Sequence, residues 1–484
     1  MKILMYHWTQ DDFPSSRGGG IKVYQKTILQ ELVKIKDLHL TVLSSGSSDL
    51  YDFIDPSIRI KRLPSRTNEL ERFGIVNSSV WAPACNHFGN PYSINHLKMK
   101  EIFFEFVVKH QFDVIHFQHL EGLPAEVLTI KERLPHIKIL FSMHDYYALC
   151  PQVTFLYKGR DLCNDSQNGK KCLSCLPVED FRSSLSSKRA NWFAFQIIDR
   201  VGFNPEGTIG TLIQKFFHQV FIGKTTITPP NPPPDNVLLN WHYIVELMNK
   251  HVDSVLPVSK RVQQIALRHG IHSNLLKLLR LGIPEAPRFR QEPPPQGPLI
   301  REDGSLTFVY LGYMTIHKGF FFLLDAFEEM PEELSGKINL VVAAKAPNDP
   351  FVLNRLMSLQ PKLKSLIHYN GYTPDQLDTI LGKGSIGLLC QLWEDSGPIT
   401  AWEMHCRHIP LLTSDLGGAS ELSGCKSMVY GHGNRSEFIE CVRKILEGKV
   451  THEEYWKNSI TPMTVAEHCQ QLVQYYLSEE KDTL

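Results

Sequence analysis

The chain lacks any excess of charge: its 484 residues carry 51 basic and 51 acidic side chains. Such a balance offers no global field to draw nucleic acid or an anionic membrane surface. No apolar stretch approaches the ~18 residues that a membrane span requires. The opening MKILMYHWTQDD has one lysine and a short apolar run broken by His7, with no small-residue cleavage site. It is expected to be a first β-strand rather than a secretory leader. The glycine cluster SSRGGGIKVYQ lacks the Gly-x-Gly-x-x-Gly spacing, and no ribose-binding acid follows at the right distance. That absence speaks against a nicotinamide oxidoreductase. Disorder is excluded as well, because 42% of the residues are hydrophobic and 21% charged, both globular values. What these absences leave is a globular protein, expected in the cytoplasm or peripherally at the inner face of the membrane, with no nucleic-acid partner.

Short apolar runs alternate with helical patterns from end to end. KILMYHW, LHLTVLSS, DVIHFQH and IKILFSMHD read as buried strands, and IKVYQKTILQELVKI has helical spacing after the glycines. The same grammar restarts at residue 306 with LTFVYLGYM, INLVVAAK, SIGLLCQ and IPLLTSD, separated by helices such as GFFFLLDAFEEM. Strands alternating with helices predict mainly parallel, doubly wound sheets. The fold class is therefore α/β, with two Rossmann-like domains facing across a cleft. The expected boundaries are 1–284 for the first domain, 285–305 for a Pro-rich linker, 306–462 for the second domain, and 463–484 for a closing helix. Within the first domain, 150–175 is a cysteine-bearing loop. Residues 176–250 read as an insertion, with 203–240 irregular around TITPPNPPPDNV.

Ligands of doubly wound sheets bind beyond the carboxyl ends of the strands. The segment WEDSGPITAWEM, residues 393–404, follows such a strand and opens a helix. Pro398 suits the first helical position, with Gly397 or Ser396 as cap. The amides of Ile399 and Thr400 then point out of the helix start and favour an anion such as a diphosphate. Glu403 lies about one and a half turns inside, and its side chain leans back toward that start. For a single acid the plainer reading is pairing with lysine or arginine.

At this point the stretch resembles the acidic signature of retaining GT-B glycosyltransferases, especially family 4: an acid, seven residues, then a glutamate on a helix. Asp395 and Glu403 have that spacing, while Glu394 matches the usual residue type. The resemblance implies that Glu403 binds the nucleotide ribose and that Asp395 or Glu394 meets the donor sugar. YLGYMTIHKGFFFLLDAF resembles the family's glycine loop and Lys-Gly helix start, giving Gly312 and Lys318, which would meet the donor phosphates. Tyr313 stands where the family often has arginine. HYNGYTPDQL resembles the base-side loop with Gly371 and Tyr372, and SDLGGASEL the Gly-Gly loop with Gly417 and Gly418. In the first domain the resemblance assigns Gly19 and Gly20, with Arg17 as an anion contact, to a loop that approaches the donor. FSMHDYYALCP places His144 near the reacting sugar, with Asp145 beside it; His119 and Glu121 are acceptor-side candidates.

The implied activity is a retaining hexosyltransferase-type enzyme that uses a nucleotide-diphosphate sugar. Its acceptor would be a glycan or lipid-linked glycan, in surface polysaccharide biosynthesis. No Asp-x-Asp cluster occupies the appropriate loop, so transfer is expected to need no metal or other catalytic cofactor. An inactive sugar-nucleotide-binding or scaffold protein of the same fold is the alternative. Separately, Cys150, Cys163, Cys172 and Cys175 lie close in sequence and end in Cys-x-x-Cys. A structural zinc, free thiols and redox chemistry are the three readings of that group.

Overall fold

The computed structural model describes residues 1–8, 19–47, 57–64, 70–78, 80, 93–167, 169–175, 194, 197–198, 201–203, 208–222, 237–347, 349–382 and 385–478. The first sheet is built from β1 (Lys2–His7), β2 (His39–Ser47), β3 (Arg59–Arg62), β4 (Leu70–Val76), β5 (Val114–Phe117), β6 (Lys138–Met143) and, after a small hairpin of β7 (Leu156–Tyr157) and β8 (Asp161–Leu162), β9 (Ser254–Pro257). Its order is β3-β4-β2-β1-β5-β6-β9, parallel except for the β3–β4 edge. The second sheet holds β10 (Leu306–Leu311), β11 (Ile338–Ala343), β12 (Ser365–Tyr369), β13 (Ser385–Leu389), β14 (Leu411–Ser414) and β15 (Val429–Tyr430), all parallel, in the order β12-β11-β10-β13-β14-β15. These are two Rossmann-like domains.

The chemistry of the strands explains the layers. Every residue of β10, LTFVYL, is buried, and β1 is buried after its first lysine. A strand apolar on both faces is stable only when helices cover both. The covering helices include α1 (Gly19–Leu32), α2 (Leu97–His110), α3 (Val237–His251), α4 (Lys260–Arg268), α5 (Phe320–Glu329), α6 (Ile399–His405), α7 (Arg435–Leu446) and α8 (Val465–Leu477). Caps set several of their starts. The Ser259 hydroxyl accepts the Val262 amide at 3.2 Å, and Thr464 with Glu467 forms a reciprocal capping box on α8.

Each sheet reverses its strand order once, between β1 and β5 in the first and between β10 and β13 in the second. The ends of β1, β6, β10 and β13 lead into the segments that carry the candidate residues. α8 crosses back to the first domain, where Tyr476 Oη meets His116 Nδ1 at 2.7 Å and His468 Nε2 meets Tyr24 Oη at 2.7 Å.

Two expectations need correction. Residues 203–240 are not irregular throughout, because Thr208–Ile222 is a helix. Its sequence TIGTLIQKFFHQVFI contains no proline, and the proline cluster that follows it drew the reading too far. Pro398 is the N-cap of α6 rather than its first helical residue, with an extended ψ of 124°. Of the linker, Ala286–Gln291 forms a short helix that accommodates Pro287 in its first turn.

Candidate active site

A cavity of about 690 Å³ lies between the two domains. From the first domain it is lined by Gly20, Tyr24 and His144 among others; from the second by Gly312, Lys318, Gly371, Tyr372, Asp395, Pro398, Ile399 and Thr400. Gly20 explains how closely the walls meet, since a Cβ there would stand 2.9 Å from Ile399 Cδ1. Gly19 opens α1, and Arg17 lies outside the described residues. Tyr313 also lines the cavity and is largely exposed.

Two interlocked ion pairs organise the loop after β13. Lys318 Nζ lies 2.5 Å from Asp395 Oδ2 and 5.3 Å from the centre of the Trp393 ring. One residue earlier, Glu394 turns the other way. It accepts Arg261 Nε at 2.8 Å, a second bond from Arg261 Nη2, and the Gly417 amide at 2.9 Å. The bidentate grip raises the Arg261 pKa further, and it ties α4 of the first domain to the second. Glu421 adds to this clasp by accepting the amides of Lys260 at 3.1 Å and Arg261 at 2.6 Å at the start of α4. Ser396 completes it, donating its hydroxyl to the His144 carbonyl.

This geometry separates the two candidates for the donor sugar, Asp395 and Glu394. Glu394 is buried and committed to Arg261 and Gly417, and it is not part of the cavity wall, whereas Asp395 is. Gly417 and Gly418 are likewise absent from that wall. Their missing side chains serve the acidic loop instead. Gly417 has φ 70°, a Cβ on it would fall 2.3 Å from the Asp395 carbonyl oxygen, and Gly418 donates its amide to that oxygen at 2.8 Å. Gly319 plays a comparable part unforeseen from sequence. At φ 72°, its Cβ would collide with the Cys390 carbonyl oxygen at 1.6 Å, so glycine alone lets Lys318 approach the end of β13.

Glu403 stands outside the cavity wall. It follows Ile399 by four residues, so both lie on one face of α6. Its carboxylate accepts no hydrogen bond among the described residues, and burial, with Glu285 nearby, pushes its pKa up to about 7. Its negative charge is felt by Tyr372, which does line the cavity. Of the two residues expected to grip one ligand from two sides, Lys318 lines the cavity and Glu403 does not in this arrangement.

On the opposite wall His144 is neutral. Burial, then the neighbouring histidines, hold its pKa well below the usual value. Its Nε2 lies 2.6 Å from Gln118 Oε1, which makes Nε2 the protonated nitrogen and leaves Nδ1 as an acceptor. The ring packs against Tyr24 with centroids 4.7 Å apart.

Asp145 turns away to His119, at 2.8 Å from Nε2. His119, Glu121 and Asp145 are the group of potential metal ligands that converges within 4.8 Å among the described residues. Burial alone would lower the His119 pKa, but Asp145 and then Glu121 raise it overall. The four clustered cysteines form no disulfide and are not drawn together to that degree. Cys175 Sγ accepts the Lys158 amide at 3.1 Å, and burial pushes Cys150 up to about 12 and Cys172 up to about 11. The zinc reading therefore rests on sequence spacing.

Sequence reasoning gave Arg261 a structural place without its partner 133 residues away, and missed Lys345, a second cation in the cavity wall just past β11. A buried acid directly beside Asp395 was the signal that some cation had to reach it.

Residues 297–461 match the model of a family described as glycosyl transferases group 1. No curated protein sequence matches the chain significantly. Among solved structures, the chain is similar to the trehalose-6-phosphate protein from E. coli bound with UDP-2-fluoro glucose, at 11% identity and a TM-score of 0.54, covering 98% of this chain and 99% of that one. It is similar to the apo form of the lipopolysaccharide outer core galactosyltransferase WaaB, at 11% identity, TM-score 0.54 and 98% coverage of each chain. A glycosyltransferase from Rickettsia africae gives 12% identity and a TM-score of 0.52 over 98% of this chain and 97% of that one. At such identities the likeness establishes the two-domain GT-B fold. The family match supports a glycosyltransferase.

Proposed function

We propose that the protein is a retaining glycosyltransferase that moves a sugar from a nucleotide-diphosphate sugar to a hydroxyl of a glycan or lipid-linked glycan, in surface polysaccharide biosynthesis. The observation that carries this reading is the interdomain cavity in which Lys318, Asp395, Gly312 and the start of α6 converge opposite His144. The group 1 match over the second domain and the UDP-sugar named for a structural neighbour support it.

In this reading the diphosphate displaces Asp395 from Lys318, and the freed carboxylate takes hydroxyls of the donor sugar. Lys318, with the Ile399 and Thr400 amides, stabilises the charge that develops as the bond from the anomeric carbon to the diphosphate oxygen breaks. The acceptor hydroxyl attacks the same face, and its proton passes to the departing phosphate. Glu403, without a partner of its own, rotates along its helix face to the ribose hydroxyls. His144 accepts at Nδ1 a hydrogen bond from the reacting sugar that forms only in the transition state. No step requires a divalent ion. Domain closure over the site excludes water and protects the donor from hydrolysis.

A panel of nucleotide sugars tests this by thermal stabilisation, followed by transfer assays with the best donor and determination of the product's anomeric configuration. Glu403→Ala is expected to abolish turnover. A second reading, donor binding without transfer, is favoured by Tyr313 in place of an arginine and by the Lys318–Asp395 pair. Stabilisation by a donor with neither hydrolysis nor transfer would select it.

A further inference from the structure

A second cavity, also of about 690 Å³, lies at the other end of α6 from the interdomain site. Its walls come from the segment before β10 (Arg288, Glu292, Pro293, Pro295), from Asp378–Gly382, from the turn Arg407–Ile409, and from His452. None of these residues takes part in the site described above.

Its electrostatics are unusual. Arg288 Nη1 and Arg407 Nε both lie 2.7 Å from one carboxylate oxygen, Oδ1 of Asp378. Asp378 thus bridges the two guanidiniums, and the other acid in the wall, Glu292, pairs more loosely with Arg288 Nε at 3.8 Å. Arg407 has only 9% of its side chain exposed, so its charge is held in a largely dry place. Asp378, at 62% exposed, is at the mouth, on the solvent side of the two arginines.

The turn after α6 is strained as well. His408 has φ 53°, a left-handed backbone that a histidine adopts at a cost. It is buried, with Nε2 lacking any hydrogen-bond partner among the described residues, and its ring is stacked on Phe289 at 4.4 Å. That nitrogen is therefore open to a ligand in the cavity that His408 lines.

We propose that this cavity is a second ligand site, for a phosphate-bearing anion held by Arg288, Arg407 and His408. Arginine forks match phosphate oxygens in pairs, and an imidazole nitrogen completes such a site. Asp378 is the internal counterion that the ligand displaces. The space exceeds a bare phosphate, so the anion is either free phosphate or the phosphate of a small ester.

Calorimetric titration of the full chain with inorganic phosphate and, separately, with glucose 6-phosphate tests the proposal. Three variants accompany the wild type: Arg288→Gln, His408→Asn and Lys318→Ala. Asparagine tolerates the left-handed backbone, so His408→Asn removes the imidazole without demanding a new turn. The expected result is binding that weakens about tenfold or more in Arg288→Gln and in His408→Asn, as loss of a charge-assisted contact implies, and is unchanged in Lys318→Ala. Tighter binding of the ester assigns the site to phosphate esters, and equal binding assigns it to free phosphate. Absence of binding for both probes, or binding lost in Lys318→Ala yet unaffected by the other two changes, would overturn the proposal.

Discussion

The two walls of the interdomain cavity are made of different chemistry. The second domain presents charge: Lys318 and Asp395 face the space as an ion pair, with Glu394 braced behind them by Arg261. The first domain presents neutral rings, His144 against Tyr24, with burial keeping the imidazole uncharged. A diphosphate carries charge that must be met by charge, whereas a sugar hydroxyl needs directed hydrogen bonds. On the proposed function, that asymmetry suits donor phosphate on one wall and the reacting hydroxyls on the other.

Between the two walls, the largest expected effect comes from breaking the charged one. Lys318→Ala removes the cation and leaves Asp395 buried alone, and turnover should fall by about 10² to 10³, the usual loss for one stabilising donor. Steady-state kinetics with the best donor measures this, and an unchanged rate would assign the phosphate elsewhere. Next is the brace. Arg261→Ala leaves Glu394 buried without its cation. After discounting for the partly exposed arginine, a loss of about 2 kcal/mol is expected from the urea midpoint. A change below a few tenths would mean that the clasp between α4 and the acidic loop is not a stabilising contact.

The neutral wall sharpens the contrast. His144→Ala should lower kcat by about tenfold, as lost hydrogen bonding in a transition state does, while donor affinity stays constant. Loss of donor affinity instead would erase the division between the walls. The smallest effect is on stability alone and concerns the protonation of Glu403. Its folded pKa is raised to about 7 from an ordinary 4.5, so the folded state holds a proton that the unfolded state has released. Stability therefore declines as pH rises through that window, and the penalty is complete above it. In Glu403→Gln the decline between pH 4.5 and 7 should flatten, as read by denaturation midpoints; an unaltered slope would refute the unpartnered carboxylate.

The same asymmetry explains what could be read in the sequence. Strands such as LTFVYL announce themselves because burial on both faces requires an unbroken apolar run. Lys318 and Asp395 could be paired by pattern, each at the mouth of a strand in a familiar order. The Arg261–Glu394 clasp could not, because it joins two domains and depends on how they meet. The purpose of Gly417 was hidden for a related reason: the backbone it approaches, at Asp395, is 22 residues away in sequence. The helix Thr208–Ile222 was masked by composition, since the prolines that follow it end a helix without forbidding one before them. Glu403 was placed correctly on its helix, yet its distance from the cavity wall depends on a side-chain torsion that no sequence pattern encodes.

The affinity of the cavity for a nucleotide sugar is the most direct measure of its purpose. Equilibrium titration of the wild type and of Lys318→Ala with a panel of such donors decides it. At least one donor should bind the wild type with a Kd below about 1 mM and the variant at least about tenfold more weakly, the worth of one charged contact. Failure of every donor to bind, or equal affinity for both proteins, would contradict it.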